Sequence, residues 1–327
     1  MKILVTGGAG FIGSHLCELL HSAGYTLTAL DNLATGEASN LKALQAQTHF
    51  NFVQADGTSC DNLEALVEDH DVTIHLAAAV GVQKIIDEPV ATLETNIDFT
   101  QRVLRAAAPK KKRLLLASTS EVYGRSEATL FSESDDLLIG PPTSRRWGYA
   151  ASKIVDEFLA LAWFHEADLP VTILRLFNTV GPRQTGRYGM VIPRFVSAAL
   201  QGSPLQVYGD GQQARTFTAV GQVVQALSDL IECKASIGQI VNIGGVAETS
   251  LLALAERIVT LCDSNSEIQL VPYEAAYTDS FEDMRRRNPN TARLKELIGW
   301  APDADLDSIL LAVINDQRAR IQEGARL

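Results

Sequence analysis

Residues 3–23 read as strand, glycine turn and helix, an order that few folds use. Ile3-Leu4-Val5 is a short apolar run of β type. Thr6-Gly7-Gly8-Ala9-Gly10-Phe11-Ile12-Gly13 follows it, and 14–23 has the spacing of an amphipathic helix. Gly7 permits the tight turn. Gly10 lets the backbone approach a pyrophosphate at the helix N-terminus, and Gly13 lets helix and strand pack closely. Phe11 and Ile12 belong to the same loop. A glycine triplet alone is also compatible with a plain turn. Its place between the first strand and the first helix points to a dinucleotide site.

The next acid fits that reading. Thr26 to Leu30 is a second strand ending at Asp31, roughly 20 residues past the glycines, where a carboxylate meets an adenosine ribose hydroxyl. No arginine or lysine neighbours Asp31, so NAD is expected over NADP. Asn32 opens a polar loop. Asp56-Gly57 follows a third strand at 50–54; Asp56 either caps the next helix or contacts adenine. Val72 to Ala78 is a strand running into small residues, with Leu76, Ala77 and Ala78 suited to close cofactor approach. His75 sits inside that apolar run and reads as structural. Asn96, in a long helix at 89–108, is a poor helix-interior residue and is expected to hydrogen-bond on the cofactor side.

A further strand delivers Ser118-Thr119-Ser120-Glu121 at its C-terminal end, where α/β sheets place ligands. These side chains either cap the turn or hydrogen-bond a substrate and move a proton. Tyr149 and Lys153 lie four apart in a helical stretch at 147–166, on one face and about 5–6 Å apart at Cβ. An ammonium there favours tyrosinate, as a general base near neutral pH requires. Such a pair is also an ordinary surface contact, so context decides. Strands alternating with helices predict an α/β fold, a doubly wound parallel sheet with helices on both faces. After Arg175 the texture changes. Arg183, Arg187, Arg215 and the 285–287 arginine run stand out in a chain of net charge −11. Each is either a solvated surface arginine or part of a site for an anionic, phosphate-bearing substrate.

That net charge argues against a general nucleic-acid or anionic-membrane surface. The four cysteines are scattered and the histidines lack ligand spacing, so neither a disulfide framework nor a metal site is expected. No apolar run approaches the roughly 20 residues of a membrane span, and no signal-peptide layout is present, so the cytoplasm is the expected compartment.

With these motifs in order, the chain resembles the extended short-chain dehydrogenase/reductase family, in its nucleotide-sugar epimerase/dehydratase branch. The resemblance spans nearly all 327 residues. It rests on the 6–13 glycine turn, Asp31, Thr119, Tyr149 and Lys153. Arg175-Leu176-Phe177-Asn178, Tyr208-Gly209-Asp210-Gly211 with Arg215, and Leu297-Ile298-Gly299-Trp300-Ala301-Pro302 add to it. It implies a Rossmann domain for NAD over residues 1–176, with a return segment at about 216–246. A smaller nucleotide-sugar domain would take 177–215 and 247–327. Tyr149 and Lys153 would also touch the cofactor, with Ser118 beside them. Asn178, Arg187, Val191, Tyr208, Arg215 and Arg287 would hold a nucleotide-diphosphate sugar, a UDP-sugar foremost. A homodimer through the 89–108 and 147–166 helices is implied as well.

The shared chemistry starts with Tyr149 taking a proton from a sugar hydroxyl, usually at C4, while hydride leaves for NAD and Thr119 holds the reacting oxygen. The keto sugar then ends as a 4-epimer, as a 4,6-dehydrated product or, from a uronate, as a decarboxylated one. Thr119-Ser120-Glu121 resembles GDP-mannose 4,6-dehydratases and UDP-glucuronate decarboxylases. Glu121 is either the base at C5 or a support for the tyrosine loop. Arg146-Trp147 also resembles some decarboxylases, but Met190 falls where those enzymes place an arginine. The sequence therefore ranks a UDP-glucose 4-epimerase type of activity first, dehydratase second and decarboxylase third. A non-catalytic NAD-binding regulator of the same fold is the reading from a different class; retention of Tyr149, Lys153 and Thr119 argues against it.

Overall fold

The computed structural model describes residues 1–79, 87–186, 190–272, 284 and 286–323. The first half runs β1 (Lys2–Thr6), α1 (Phe11–Ser22), β2 (Thr26–Asp31), β3 (Phe50–Gln54), α2 (Leu63–Asp69) and β4 (Val72–His75). It continues with α3 (Pro89–Ala107), β5 (Arg113–Thr119), a 3-10 turn (Ser120–Tyr123), α4 (Trp147–Ala167) and β6 (Val171–Leu176). Next come β7 (Thr179–Val180), α5 (Val191–Leu200), β8 (Leu205–Tyr208), β9 (Ala214–Thr216), β10 (Thr218–Ala219) and α6 (Val220–Glu232). The chain finishes with β11 (Ile240–Ile243), β12 (Glu248–Ser250), α7 (Leu251–Cys262), β13 (Ile268–Val271), α8 (Ala292–Ile298) and α9 (Leu306–Gln322).

Seven parallel strands form the main sheet in the order β11-β6-β5-β4-β1-β2-β3. Such a sheet must be covered on both sides, because its strands are apolar at successive positions. Ile3 and Val5 enter one core with Leu16 and Leu20 of α1 and Val223 and Leu227 of α6. Leu4 points the other way, into a core with Phe99 and Val103 of α3 and Ala160 of α4. Strand order reverses between β1 and β4, which opens a crevice at their C-terminal ends. The glycine turn after β1 and the small residues after β4 lie there.

A second apolar cluster is built from helical stripes. Ile192, Phe195, Val196 and Ala199 of α5 meet Leu254 and Ile258 of α7, Ile309 and Val313 of α9, and Leu205 and Val207 of β8. One segment departs from the division expected from sequence. Leu294 of α8 is buried in the first core, with Leu297, Ile298 and Trp300 packed against it. Residues 292–301 thus cover the sheet beside β11 rather than the second cluster, because α8 presents its apolar side to β11 and α6. Arg113 begins β5 and turns its guanidinium inward to Thr172 Oγ1 (2.7 Å) and Ser236 Oγ (2.9 Å).

Arg175 on β6 and Glu157 on α4 form a buried ion pair beneath the crevice. Arg175 Nη2 and Nε donate to Glu157 at 2.7 and 3.0 Å, and Ser118 Oγ donates to the same carboxylate at 2.5 Å. Removing one partner of such a pair leaves an uncompensated charge out of water. Glu157→Ala is therefore expected to lower unfolding stability by about 3–5 kcal/mol, read from urea denaturation midpoints.

Candidate active site

A cavity of about 670 Å³ runs from the glycine turn across the C-terminal ends of β1, β4 and β5 to α5, β8 and β9. Its cofactor end has little room for side chains. Gly7 has φ +71, and a Cβ there would lie 2.9 Å from Ala77 N; a Cβ on Gly13 would lie 2.0 Å from Gly7 O. Only glycine permits this approach. The N-terminus of α1 begins at Gly10 with no side-chain cap, so its first amides face the cavity region where a pyrophosphate would bind. Phe11 and Ile12 line the same end.

Asp31 closes β2 and accepts from Ala9 N at 3.0 Å and Leu33 N at 2.8 Å. Burial raises its pKa above the ordinary carboxylate value while these amides oppose the rise. A carboxylate has about four acceptor positions, so capacity for ribose hydroxyls remains. Asn32 donates to Asp56 Oδ2 at 3.0 Å, and Asp56 Oδ1 accepts from Thr58 N and Oγ1. Asp56 therefore closes a turn on the cavity wall, and the residue before α2 is Asn62. Gly57 backs onto Phe99: a Cβ there would meet the ring at 1.9 Å. Leu76, Ala77, Ala78 and Ser118 line the same half. This cradle fits a dinucleotide in shape and donor set.

Asn96 lies behind the wall instead of on it. It is 2% exposed, accepts from Ala79 N at 2.7 Å and donates to Ser152 Oγ at 3.2 Å. It ties the segment after β4 to α4. His75 is also buried, against Thr6 Oγ1 (2.7 Å) and Thr100 Oγ1 (3.3 Å). Burial, with Lys153 adding to it, lowers the His75 pKa to about 3.

At the reacting end, Thr119 caps the 3-10 turn by accepting from Glu121 N at 3.3 Å, and its hydroxyl lies beside the Tyr149 phenol. Ser120 is buried beside it on the wall. Tyr149 and Lys153 both face the cavity from α4. The electrostatics differ from the sequence expectation. Lys153 Nζ, 2% exposed, donates to Asp156 Oδ2 at 2.8 Å. The phenol of Tyr149 is pushed above its ordinary value, first by burial, then by the negative charges of Glu121 and Asp156; the Thr119 hydrogen bond opposes this. Lys153 is not among the groups that shift the phenol most, and its ammonium is engaged by Asp156 one turn further along α4.

Glu121 sits between two guanidiniums. Arg146 Nη1 lies 3.3 Å from Oε2 and Arg287 Nη2 3.3 Å from Oε1. Burial favours the neutral acid, but Arg287 and Arg146 with their hydrogen bonds outweigh it, and the carboxyl stays below its usual range. Arg146 was visible in sequence only as a neighbour of Trp147. Its approach to Glu121 depends on the fold of 121–146.

The far end carries Asn178, Val191, Tyr208 and Arg215. Asn178 takes φ +23 and donates to Thr216 O at 2.8 Å; asparagine tolerates that region better than most residues. Arg194 was missed by sequence reasoning. It stacks over the Tyr208 ring at 4.6 Å and lines the cavity from α5, inside a stretch that reads as an ordinary helix. Of the other arginines, Arg183 is not on the wall: it holds Glu18 on α1 at 2.8 and 2.9 Å and Ser14 at 3.2 Å. Arg286 approaches Glu248 at 3.6 Å. Arg187 and Arg285 lie outside the described residues. Met190 lines the cavity.

One consequence can be measured directly. Asp31→Asn should weaken NAD binding roughly tenfold or more, as loss of a hydrogen bond to a charged group implies, read by calorimetric titration. Unchanged affinity would place the adenosine ribose elsewhere.

Residues 3–244 match the model of the NAD dependent epimerase/dehydratase family. The chain is 41% identical over 314 residues to a UDP-N-acetyl-alpha-D-glucosaminuronate decarboxylase of Bacillus cytotoxicus, covering 96% of each. It is 34% identical over 324 residues to UDP-glucuronic acid decarboxylase 1 of Xenopus tropicalis, covering 99% of this chain and 74% of that one. Among solved structures, UDP-glucuronic acid 4-epimerase of Bacillus cereus, bound to UDP-glucuronic acid and NAD, superposes with a TM-score of 0.86 at 30% identity. That match covers 98% of this chain and 99% of the other. With the glycine cradle, Asp31 and the Tyr149/Lys153 pair gathered on one cavity, the chain belongs to the NAD dependent epimerase/dehydratase family of enzymes.

Proposed function

We propose that this enzyme decarboxylates a UDP-linked hexuronate, with UDP-N-acetylglucosaminuronate the first substrate to test. Decarboxylation, ranked third from sequence, thereby moves ahead of the 4-epimerase reading. The observation that carries the reading is the convergence of Arg146, Glu121 and Arg287 beside Tyr149, at 3.3 Å on each side of the carboxylate. Guanidiniums at the reacting end suit a sugar bearing a carboxylate. The neutral hydroxymethyl group of UDP-glucose would need none. The decarboxylases among the relatives support the same choice.

The chemistry follows from the residues. NAD held by the glycine turn and Asp31 would supply the acceptor, and later the donor, of the C4 hydride. Tyr149 accepts the C4 hydroxyl proton as the ketone forms, and Thr119 holds that oxygen. The C6 carboxylate is then β to a ketone. The C5–C6 bond breaks, its electron pair passes into the C4–C5 enolate, and carbon dioxide leaves. Tyr149 and Thr119 donate to the enolate oxygen, which stabilises the charge where it develops. A solvent proton reaches C5 through Glu121, and Tyr149 returns its proton to the C4 oxygen when the ketone is reduced.

Incubation with UDP-N-acetylglucosaminuronate and UDP-glucuronate, read by mass spectrometry, should show loss of one carbon dioxide. A new isomer of unchanged mass would instead establish 4-epimerisation, the second reading, which Met190 on the wall and the Bacillus cereus neighbour favour. Glu121→Gln should leave C4 oxidation in place and reduce decarboxylated product by about 10²–10⁴-fold.

The same reading includes a homodimer through α3 and α4. Phe158 is 70% exposed and Val155, one turn before it on α4, is exposed as well. A second copy of the chain is the occupant the proposal commits to. Phe158→Asp is expected to convert a dimer to a monomer by light scattering, and a wild-type monomer would remove this part of the reading.

A further inference from the structure

Lys153 does not meet Tyr149 as a simple pair. Its Nζ donates to Asp156 Oδ2 at 2.8 Å, with Lys153 2% and Asp156 0% exposed. Asp156 is absent from the cavity wall, so it touches neither the reacting sugar nor the cofactor cradle. It is held from behind. Thr100 on α3 lies beside Asp156 and favours its ionised form, and Thr100 Oγ1 also lies 3.3 Å from His75 Nε2 on β4. His75 Nδ1 is 2.7 Å from Thr6 Oγ1, at the end of β1. A buried polar chain therefore runs from the start of the glycine turn through His75, Thr100 and Asp156 to Lys153.

We propose that Asp156 is a positioning residue: it anchors the Lys153 ammonium and limits how strongly that charge acts on Tyr149. The inference rests on the assignment of Tyr149 as the proton acceptor. The geometry gives the reason. Two buried charges 2.8 Å apart cancel much of each other's field at a third site. Asp156 also acts on Tyr149 directly, as one of the negative charges that favour the protonated phenol. The other charged groups around the pair are Glu157 on α4, which is tied to Arg175, and Glu121 with Arg146 and Arg287. His75, whose pKa burial lowers to about 3, is neutral near pH 7. Among these groups Asp156 is the carboxylate in direct contact with Lys153.

The sign follows. Tyr149 must lose its proton to accept another, so turnover rises with pH through the phenol's titration. Replacing Asp156 with a neutral isostere removes one charge that raises that titration and releases the ammonium that lowers it. Both changes move the acid limb of the rate profile to lower pH.

The test compares NAD-loaded wild type, Asp156→Asn and Asp156→Glu. The first readout is the pH dependence of C4 oxidation, followed by absorbance with UDP-glucuronate and UDP-N-acetylglucosaminuronate. The acid limb of Asp156→Asn is expected roughly one pH unit or more below wild type, as removal of a close charge implies, with Asp156→Glu near wild type. The second readout needs no turnover: tyrosinate absorbance is titrated in each protein against its Tyr149→Phe counterpart, and the midpoint should fall by a similar amount. Should Asp156→Asn fail to fold, Asp156→Ser, which leaves room for a water at Lys153, carries the same comparison. Coincident limbs or midpoints overturn the proposal, even if the rate falls at every pH, because a purely structural carboxylate would do only that. If neither sugar is oxidised, the catalytic assignment fails, while the phenol titration still decides the role of Asp156.

Discussion

Burying charge along α4 is the constraint on which the rest of this molecule depends. Within little more than one turn the helix carries Lys153, Asp156 and Glu157, all at most 3% exposed. Each must be compensated where water is absent. Lys153 and Asp156 compensate each other, and Glu157 takes Arg175 from β6 and a hydroxyl from Ser118 on β5. The sheet and helix are thereby fixed in register beneath the cavity floor. The hydroxyls and carboxylates of the 118–121 stretch then arrive beside Tyr149 without a freedom of their own.

What could be read from the sequence was local. The glycine turn and the Tyr149/Lys153 spacing each depend on fewer than about ten neighbouring residues, and Asp31 on a strand end about 20 residues past the glycines; backbone geometry carries such patterns. The state of the tyrosine was not legible. It is set first by burial, then by Glu121, to which guanidiniums come from positions 146 and 287, and by Asp156, which Thr100 of α3 lies beside. Asn96 shows the same limit in reverse. Its poor fit to a helix interior does signal a buried hydrogen-bonding role, but the partner is the backbone at Ala79.

The arginines divide in a way that composition does not reveal. Arg215 and Arg287 reach the cavity, Arg194 joins them from a helix that looked like plain core, and Arg183 turns away to Glu18. Similarly, 292–301 lies in the tail of the chain, yet Leu294 belongs to the core of the first sheet. In both cases the deciding contact joins segments distant in sequence, Arg183 to Glu18 across 165 residues and Arg293 to Ile240 across 53, with no periodicity to announce it.

Arg183 has a wider consequence. Its side chain grips Glu18 and Ser14 on α1, while its backbone amide donates to Asp316 on α9 at 3.3 Å. The helix whose N-terminus faces the dinucleotide cradle is thus stapled to a helix of the second cluster. Bringing two reactants into a reactive alignment ordinarily consumes translational and rotational entropy. Here the walls that receive them are aligned by a covalently continuous staple before either ligand arrives. The cost of aligning the walls is met once, during folding, and the ligands' binding energy has only their own loss of freedom to offset.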